Sequence, residues 1–246
     1  MFRCEPLCFS NFVCDPNYYD VIQGCSGPIS IGGALVAPPC EESGDGGGWW
    51  TVIQRRGQFG NPSDYFARLR PEYMNGFGNV EGEFWLGLDN MVTMTGVGNW
   101  QLRVDMTDWD GREYFALYDH FRVEPGPKYR LSVSGFNPVS TLGDSVTNEK
   151  NSGNGNMNGM AFTTTDNDND RHESGINCAS LPSGGGAGWW YNRCYWAHLN
   201  GVNYNTQMTV RWRGLIWFYG GSRGSTYNTW QQAKMKIRKT VRKVLA

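Results

Sequence analysis

Hydrophobic residues fall in short runs separated by glycine- and asparagine-rich stretches, a pattern of short strands and loops more than of long helices. The run Trp49-Trp50-Thr51-Val52-Ile53-Gln54-Arg55-Arg56 is rich in aromatic and β-branched residues and predicts a buried strand. Gln101 to Met106 and Glu113 to Asp119 predict two more, joined through Asp108-Trp109-Asp110-Gly111-Arg112. There Asp110-Gly111 is a turn signal, because glycine supplies the positive φ. Tyr129 to Val133, Gly214 to Phe218 and Ala233 to Ile237 are further strand candidates. One helix start is expected at Asn61-Pro62-Ser63-Asp64, with Tyr65, Phe66 and Leu69 as its apolar stripe and Pro71 interrupting it. In the last strand Lys234, Lys236 and Arg238 share one face while Met235 and Ile237 point inward, which predicts a solvated edge. From about Gly135 to Tyr227 the periodicity fails. A loop region that long inside a folded protein is usually functional.

Composition narrows the class. The 246 residues suffice for one sizeable core or two small ones, and an aromatic share of 14% places the protein among folding sequences. With 18% charged residues and a formal net charge of -1, nothing draws it to nucleic acid or to an anionic membrane. No apolar run approaches the roughly 18 residues of a membrane-spanning helix. Seven cysteines stand at Cys4, Cys8, Cys14, Cys25, Cys40, Cys178 and Cys194. There is no C-x-x-C pair and there are only 3 histidines, so a zinc site lacks its usual spacing. Disulfides in an oxidising compartment fit better, and the odd count leaves a thiol that is free or bridges to another polypeptide. The start, Met1-Phe2-Arg3-Cys4, has no apolar signal-peptide core, so the expectation of a secreted, extracellular protein rests on the cysteines. The organisation expected is a cysteine-containing lead-in over 1–24 and one domain over 25–246.

Asp166-Asn167-Asp168-Asn169-Asp170 sets three carboxylates at alternate positions. An EF-hand is excluded, since its sixth and twelfth positions hold Arg171 and Asn177 in place of Gly and Glu. Two readings remain: a solvated acidic turn, or a calcium loop of another type in which a divalent ion relieves the repulsion among close carboxylates. A Cys178–Cys194 bridge would hold this turn to the loop carrying Trp189-Trp190-Tyr191, or act as a structural staple alone. Enzyme signals are weak. His120, His172 and His198 suggest no nucleophile–base pair, no P-loop is present, and no reaction is expected.

Together these runs resemble one family. Gly46-Gly47-Gly48-Trp49-Trp50-Thr51-Val52-Ile53-Gln54-Arg55-Arg56 is similar to the opening signature of the fibrinogen C-terminal globular domain. Asn75-Gly76-Phe77-Gly78 and Gly82-Glu83-Phe84-Trp85-Leu86-Gly87-Leu88-Asp89-Asn90 follow in the family's order. Phe162-Thr163-Thr164, Asn177-Cys178-Ala179, Trp189-Trp190-Tyr191-Asn192-Arg193-Cys194 and His198-Leu199-Asn200-Gly201 complete it. The match covers roughly Ser26 to Arg238. It implies an α+β fold with a twisted antiparallel sheet, short helices and a long loop-built calcium and ligand region. It also implies secretion, assembly into homo-oligomers, and non-enzymatic recognition of the kind seen in tachylectin- and ficolin-like lectins of innate immunity.

The resemblance assigns residues as well. Ca²⁺ would take the carboxylates of Asp168 and Asp170 and the backbone carbonyls of His172 and Ser174, with Asp166 supporting the loop. Cys178 would pair with Cys194 and Cys14 with Cys40, leaving Cys25 extra. The Arg193–Cys194 peptide would be cis and aim backbone N–H groups into a ligand pocket formed by Arg193, Cys194, Tyr195, Phe218, Tyr219 and Tyr227. The sequence departs from the family pattern at that pocket. Tyr195 stands where acetyl-binding lectins commonly carry histidine, and Gly184-Gly185-Gly186 replaces an aromatic wall in a lengthened, wider loop. Tyr219 is bulky where a small residue often sits. The function expected is calcium-dependent binding of acetylated carbohydrates; the alternative is a protein-interaction module taking a receptor or peptide terminus in the same groove.

Overall fold

The computed structural model describes residues 25–42, 47–147, 155–208, 213–219 and 229–240. The lead-in 1–24, with Cys14, and the pocket candidate Tyr227 lie outside the described residues. A short ribbon, β1 (Ile29–Ile31) with β2 (Ala34–Val36), is followed by β3 (Cys40–Glu42) and β4 (Trp49–Arg56). Next come α1 (Arg70–Asn75), β5 (Phe77–Gly78), β6 (Phe84–Trp85) and α2 (Leu88–Thr95). The long strands β7 (Asn99–Thr107), β8 (Glu113–Val123) and β9 (Leu131–Phe136) complete the first half. After 3-10 turns at Glu173–Gly175 and Cys178–Ser180, β10 (Ala197–His198) and β11 (Ile216–Trp217) form a second ribbon, and β12 (Gln232–Thr240) is the final strand.

The main sheet runs β5-β6-β4-β12-β7-β8-β9 with β3 beside β4, and its pairings are antiparallel. Alternation explains β7: Trp100, Leu102, Val104 and Met106 are buried while Gln101, Arg103 and Asp105 between them are only half-buried. The expectation for the last strand is corrected here. β12 lies between β4 and β7 and is paired on both sides, so it is no edge. Lys234 and Lys236 are neutralised in place, and Arg238 is covered by an aromatic ring. Lys234 Nζ donates to Glu41 at 2.9 Å, Lys236 Nζ reaches Glu41 and Asp105, and the Arg238 guanidinium lies 4.3 Å over the Trp50 ring. Long aliphatic stems allow a lysine or arginine to be covered while its charge stays paired.

Pro71 also acts differently from expectation. Residues 62–66 form turns, Tyr65 N donating to Pro62 O and Ala67 N to Asp64 O, and the helix begins after them at Arg70. Pro71 sits in its first turn, where a missing N–H costs nothing and the fixed φ suits the helix. Glu72 then accepts from Leu69 N at 3.1 Å.

Cys40 is bridged to Cys25 and not to Cys14. Cys40 pairs with Thr51 across β3 and β4, and Ser26 N donates to Thr51 Oγ1 at 3.2 Å, which brings the Cα of Cys25 to 5.8 Å from that of Cys40.

Two polar residues of β4 fasten the irregular half of the molecule to the sheet. Gln54 Nε2 donates to Leu199 O at 2.8 Å and Asn200 Oδ1 at 3.1 Å. Arg56 is fully buried: Nε donates to Glu83 at 2.8 Å, and Nη1 donates to the carbonyls of Asn200 and Gly201, both at 2.8 Å. Its guanidinium covers the Phe66 ring at 4.1 Å. Beneath the same loops Tyr73, Trp85, Phe162 and Trp190 form a tilted and edge-to-face aromatic cluster with centroids 5.1 to 5.8 Å apart.

Candidate functional site

The β10–β11 ribbon sets one wall of the site. Ala197 pairs with Trp217, both buried, and Phe218 N donates to Trp196 O at 2.9 Å. The residues one step outward, Trp196 and Phe218, therefore lie side by side with ring centroids 4.3 Å apart. Tyr219 meets Phe218 edge-on at 4.7 Å. All three are half-buried, forming an aromatic ledge. Its backbone is clamped by residues 143–145: Gly143 N donates to Tyr219 O at 2.6 Å, Tyr219 N to Ser145 Oγ at 2.8 Å, and Trp217 Nε1 to Gly143 O at 2.8 Å. Gly155 lies flat against the Trp196 indole, where a β-carbon would come within 1.6 Å of the ring.

Tyr195 points the other way. Its ring is buried 4.7 Å from that of His198 and its hydroxyl donates to Ser183 O at 2.9 Å, so it is tied into the core. Burial pushes that phenol well above its ordinary range. His198 is wholly buried, and its ring pKa is driven down to about 3 by burial first and by the Arg56 charge second. Tyr191 OH donates to Ala187 O at 2.7 Å and lies 2.9 Å from His198 Nε2. A hydroxyl has one proton, so Nε2–H donates to Tyr191 and the unpartnered Nδ1 carries the lone pair. The other histidines are tied locally, His120 Nε2 to Ser132 Oγ at 3.1 Å and His172 Nδ1 to Glu173 O at 2.7 Å. Gly220-Gly221-Ser222-Arg223-Gly224 has the G-x-S-x-G spacing of a hydrolase elbow and lies outside the described residues.

On the other side of the Cys194 corner stands the acidic loop. Cys178 and Cys194 are bridged, and the Arg193–Cys194 peptide is cis. Asp170 Oδ2 accepts from Cys178 N at 2.7 Å and Oδ1 from His172 N at 2.8 Å, while Asp168 Oδ1 accepts from Asp170 N at 3.2 Å. Arg171 N donates to Asn192 O at 2.9 Å, and Arg193 pairs with Glu173 at 2.8 Å. Three separate contacts, the bridge, Arg171 on Asn192 and Arg193 on Glu173, thus lash the loop 166–178 to residues 192–194, and Asp170 braces the bridged Cys178 from within the loop. Burial raises the Asp170 carboxyl above its usual range; the N–H groups of Cys178 and His172 oppose this, and the Asp168 charge adds to it. Asp166 turns away from this pair and accepts from Arg70 N at 3.0 and 3.3 Å.

The glycine run does not widen the loop. A β-carbon on Gly184 would lie 2.2 Å from Cys178 O, one on Gly185 2.6 Å from Val202, and one on Gly186 3.0 Å from Ala67. Glycine here permits close packing, with Gly185 and Gly186 at positive φ. Sequence reasoning missed Trp196. The signal was available in alternation, since Trp196 and Phe218 flank the paired Ala197 and Trp217 on a ribbon with period two.

The protein belongs to the family of the C-terminal globular domain of fibrinogen beta and gamma chains, whose model matches residues 36–240. It is 38% identical over 199 residues to Techylectin-5A of Tachypleus tridentatus, with 81% of this sequence and 62% of that one covered, so it spans less than two thirds of that relative. The fibrinogen-like globe domain of human ANGPTL2 is similar in structure, with a TM-score of 0.71 and 35% identity over 92% of this protein and 97% of that one. A lamprey fibrin D-dimer complexed with the peptide Gly-His-Arg-Pro-amide gives a TM-score of 0.70 at 29% identity, covering 87% and 67%.

The donor set suits the ion this family implies. Asp168 and Asp170 offer hard carboxylate oxygens, and a half-buried carboxylate beside a second one is the environment a divalent cation relieves. Among the described residues no group of three or more His, Cys, Asp or Glu residues gathers at one point. The implied set has only two such side chains, its other donors being the His172 and Ser174 carbonyls. The His172 ring, held by Glu173 O, is not among them.

Proposed function

We propose that this protein is a secreted recognition lectin that takes an acetyl group of a carbohydrate between the Cys194 corner and the ledge of Trp196, Phe218 and Tyr219, with Ca²⁺ holding the neighbouring loop. The observation that carries this is the lashing of loop 166–178 to residues 192–194 by the bridge, by Arg171 on Asn192 and by Arg193 on Glu173, with Asp170 bracing the bridged Cys178 through its backbone N. Aromatic faces and a directed amide suit a methyl and a carbonyl. Bound calcium would supply positive charge to the Asp168–Asp170 pair. The protein does the rest: Asp170 fixes Cys178, Cys178 fixes Cys194, and the β10–β11 ribbon fixes the ledge. That is preorganisation, in which ordering is complete before the ligand arrives. The two bridges support secretion. Three cysteines remain, seven less the four bridged, and an odd number in an oxidised protein favours assembly through an intermolecular bond.

A second reading, a module for a protein or peptide terminus, is favoured by a buried Tyr195 standing where acetyl-binding lectins commonly carry histidine, and by the peptide-bound lamprey fibrin relative. Retention on immobilised N-acetylglucosamine, with elution by free N-acetylated compounds, separates the two. The lectin reading expects retention by the wild type and loss by Trp196→Ala. Passage of the folded wild type straight through such a resin contradicts it and leaves the peptide reading standing.

A further inference from the structure

Arg70 opens its helix with polar groups that reach two parts of the fold, the acidic loop at 166–167 and the turn between β8 and β9. Its backbone N donates to both oxygens of Asp166. One arm of the guanidinium, Nη1, donates to Asn167 Oδ1 at 2.9 Å, and the other, Nη2, to Pro127 O in the turn between β8 and β9. The guanidinium carbon stands 5.4 Å from the centre of the Tyr129 ring, whose hydroxyl donates to Asp89 at the start of α2 at 2.6 Å. The Tyr129 carbonyl accepts from Trp190 Nε1 at 2.8 Å. The turn that receives Arg70 is therefore fixed to both α2 and the aromatic core.

The grip on Asn167 reaches Asp168. Asn169 Nδ2 donates to the same Asn167 Oδ1 and, at 3.0 Å, to Phe162 O, while Asn169 N donates to Thr163 Oγ1 at 3.0 Å. Asp168 thus stands between two held residues, Asn167 by Arg70 and Asn169 by Phe162 O and Thr163 Oγ1. Arg70 also brings its charge near a loop of three carboxylates. A charge alone weakens the attraction of that loop for a cation, whereas a fork spanning Asn167 and Pro127 sets the geometry of the donors.

We infer that Arg70 is the positioning residue of the acidic loop, holding Asp168 ready for a divalent cation by clamping the side chains of Asp166 and Asn167 and tying them to the β8–β9 turn. The inference rests on the calcium reading above. Partners that orient metal ligands without touching the metal are typically worth about 10–100-fold in affinity. Both Arg70→Gln and Arg70→Lys are expected to lower calcium affinity by about that factor, because neither side chain spans the two acceptors. The melting temperature in EDTA stays at the wild-type value, and saturating calcium restores the wild-type gain in melting temperature.

The test is calorimetric titration of calcium into the EDTA-treated, dialysed full-length protein, wild type and both variants, with melting curves alongside. Weakened binding in both variants with rescue at high calcium supports the role. Unchanged affinity in Arg70→Lys together with tighter binding in Arg70→Gln shows that Arg70 acts through charge only and overturns it. A wild type that takes no calcium, with variants that also take none, overturns the calcium reading and the role of Arg70 with it. A wild type that binds while both variants match it removes the role of Arg70 alone.

Discussion

Burial holds the His198 ring neutral down to a pH of about 3, with the Arg56 charge adding to the effect. In the unfolded state the same ring takes up a proton below its ordinary value of 6.5. Above that pH the difference has no consequence. As pH falls from 6.5 towards 3 the unfolded state binds a proton that the folded state refuses, so stability drops by about 1.4 kcal/mol per pH unit from this residue. Denaturant midpoints between about pH 7 and pH 4 check this: His198→Gln, which keeps a donor for Tyr191 and does not titrate, is expected to show the shallower acid limb. Equal slopes in the two proteins contradict the assignment. At this scale the sequence was legible where chemistry is local. The carboxylates Asp168 and Asp170 and the bridged Cys178 and Cys194 stand out by type and spacing. Arg70 and Trp196 did not, because their importance comes from residues distant along the polypeptide, Pro127 and Asn167 for one and Phe218 for the other.

Strand β4 shows what an element adds. Its hydrophobic run announced a buried strand, and β4 spans the same eight residues, Trp49–Arg56. The pattern did not announce that Gln54 and Arg56 face inward as anchors for the Leu199–Gly201 segment, since a polar residue in a strand ordinarily signals solvent. The pairing of Arg56 with Glu83, both covered, makes a sharp expectation. Arg56→Met leaves a carboxylate buried without its partner and should cost about 3–5 kcal/mol in unfolding free energy. Arg56→Met combined with Glu83→Leu should recover a good part of it, measured by chemical denaturation. A single variant as stable as the wild type would show the pair to be idle. The same logic explains β12, whose charges pointed to an edge although pairing with Glu41 and Asp105 lets the strand lie at the sheet centre. Helix α2 went unread because its eight residues are too few for a clear helical period.

In the whole molecule the sheet is a platform, and the proposed recognition site is built from the part of the sequence that has no period. Residues 155–208 hold together through buried side-chain bonds from β4, the aromatic cluster around Trp85 and the Cys178–Cys194 bridge. Such a region is legible as functional from its length and glycine content, but its shape is set by contacts that no local pattern encodes. Tyr195 illustrates this: its place in sequence marked it as a pocket residue, and no local pattern announced that its hydroxyl would be tied to Ser183 O. On the proposed reading the acidic loop and the ligand corner are joined through the Cys178–Cys194 bridge, so filling one site is expected to order the other. Calorimetric titration of N-acetylglucosamine in millimolar calcium and again in EDTA reads that coupling directly. Saturable binding with calcium, lost in EDTA and lost in Asp168→Ala under both conditions, is the expected result. Equal affinity with and without the ion would contradict it.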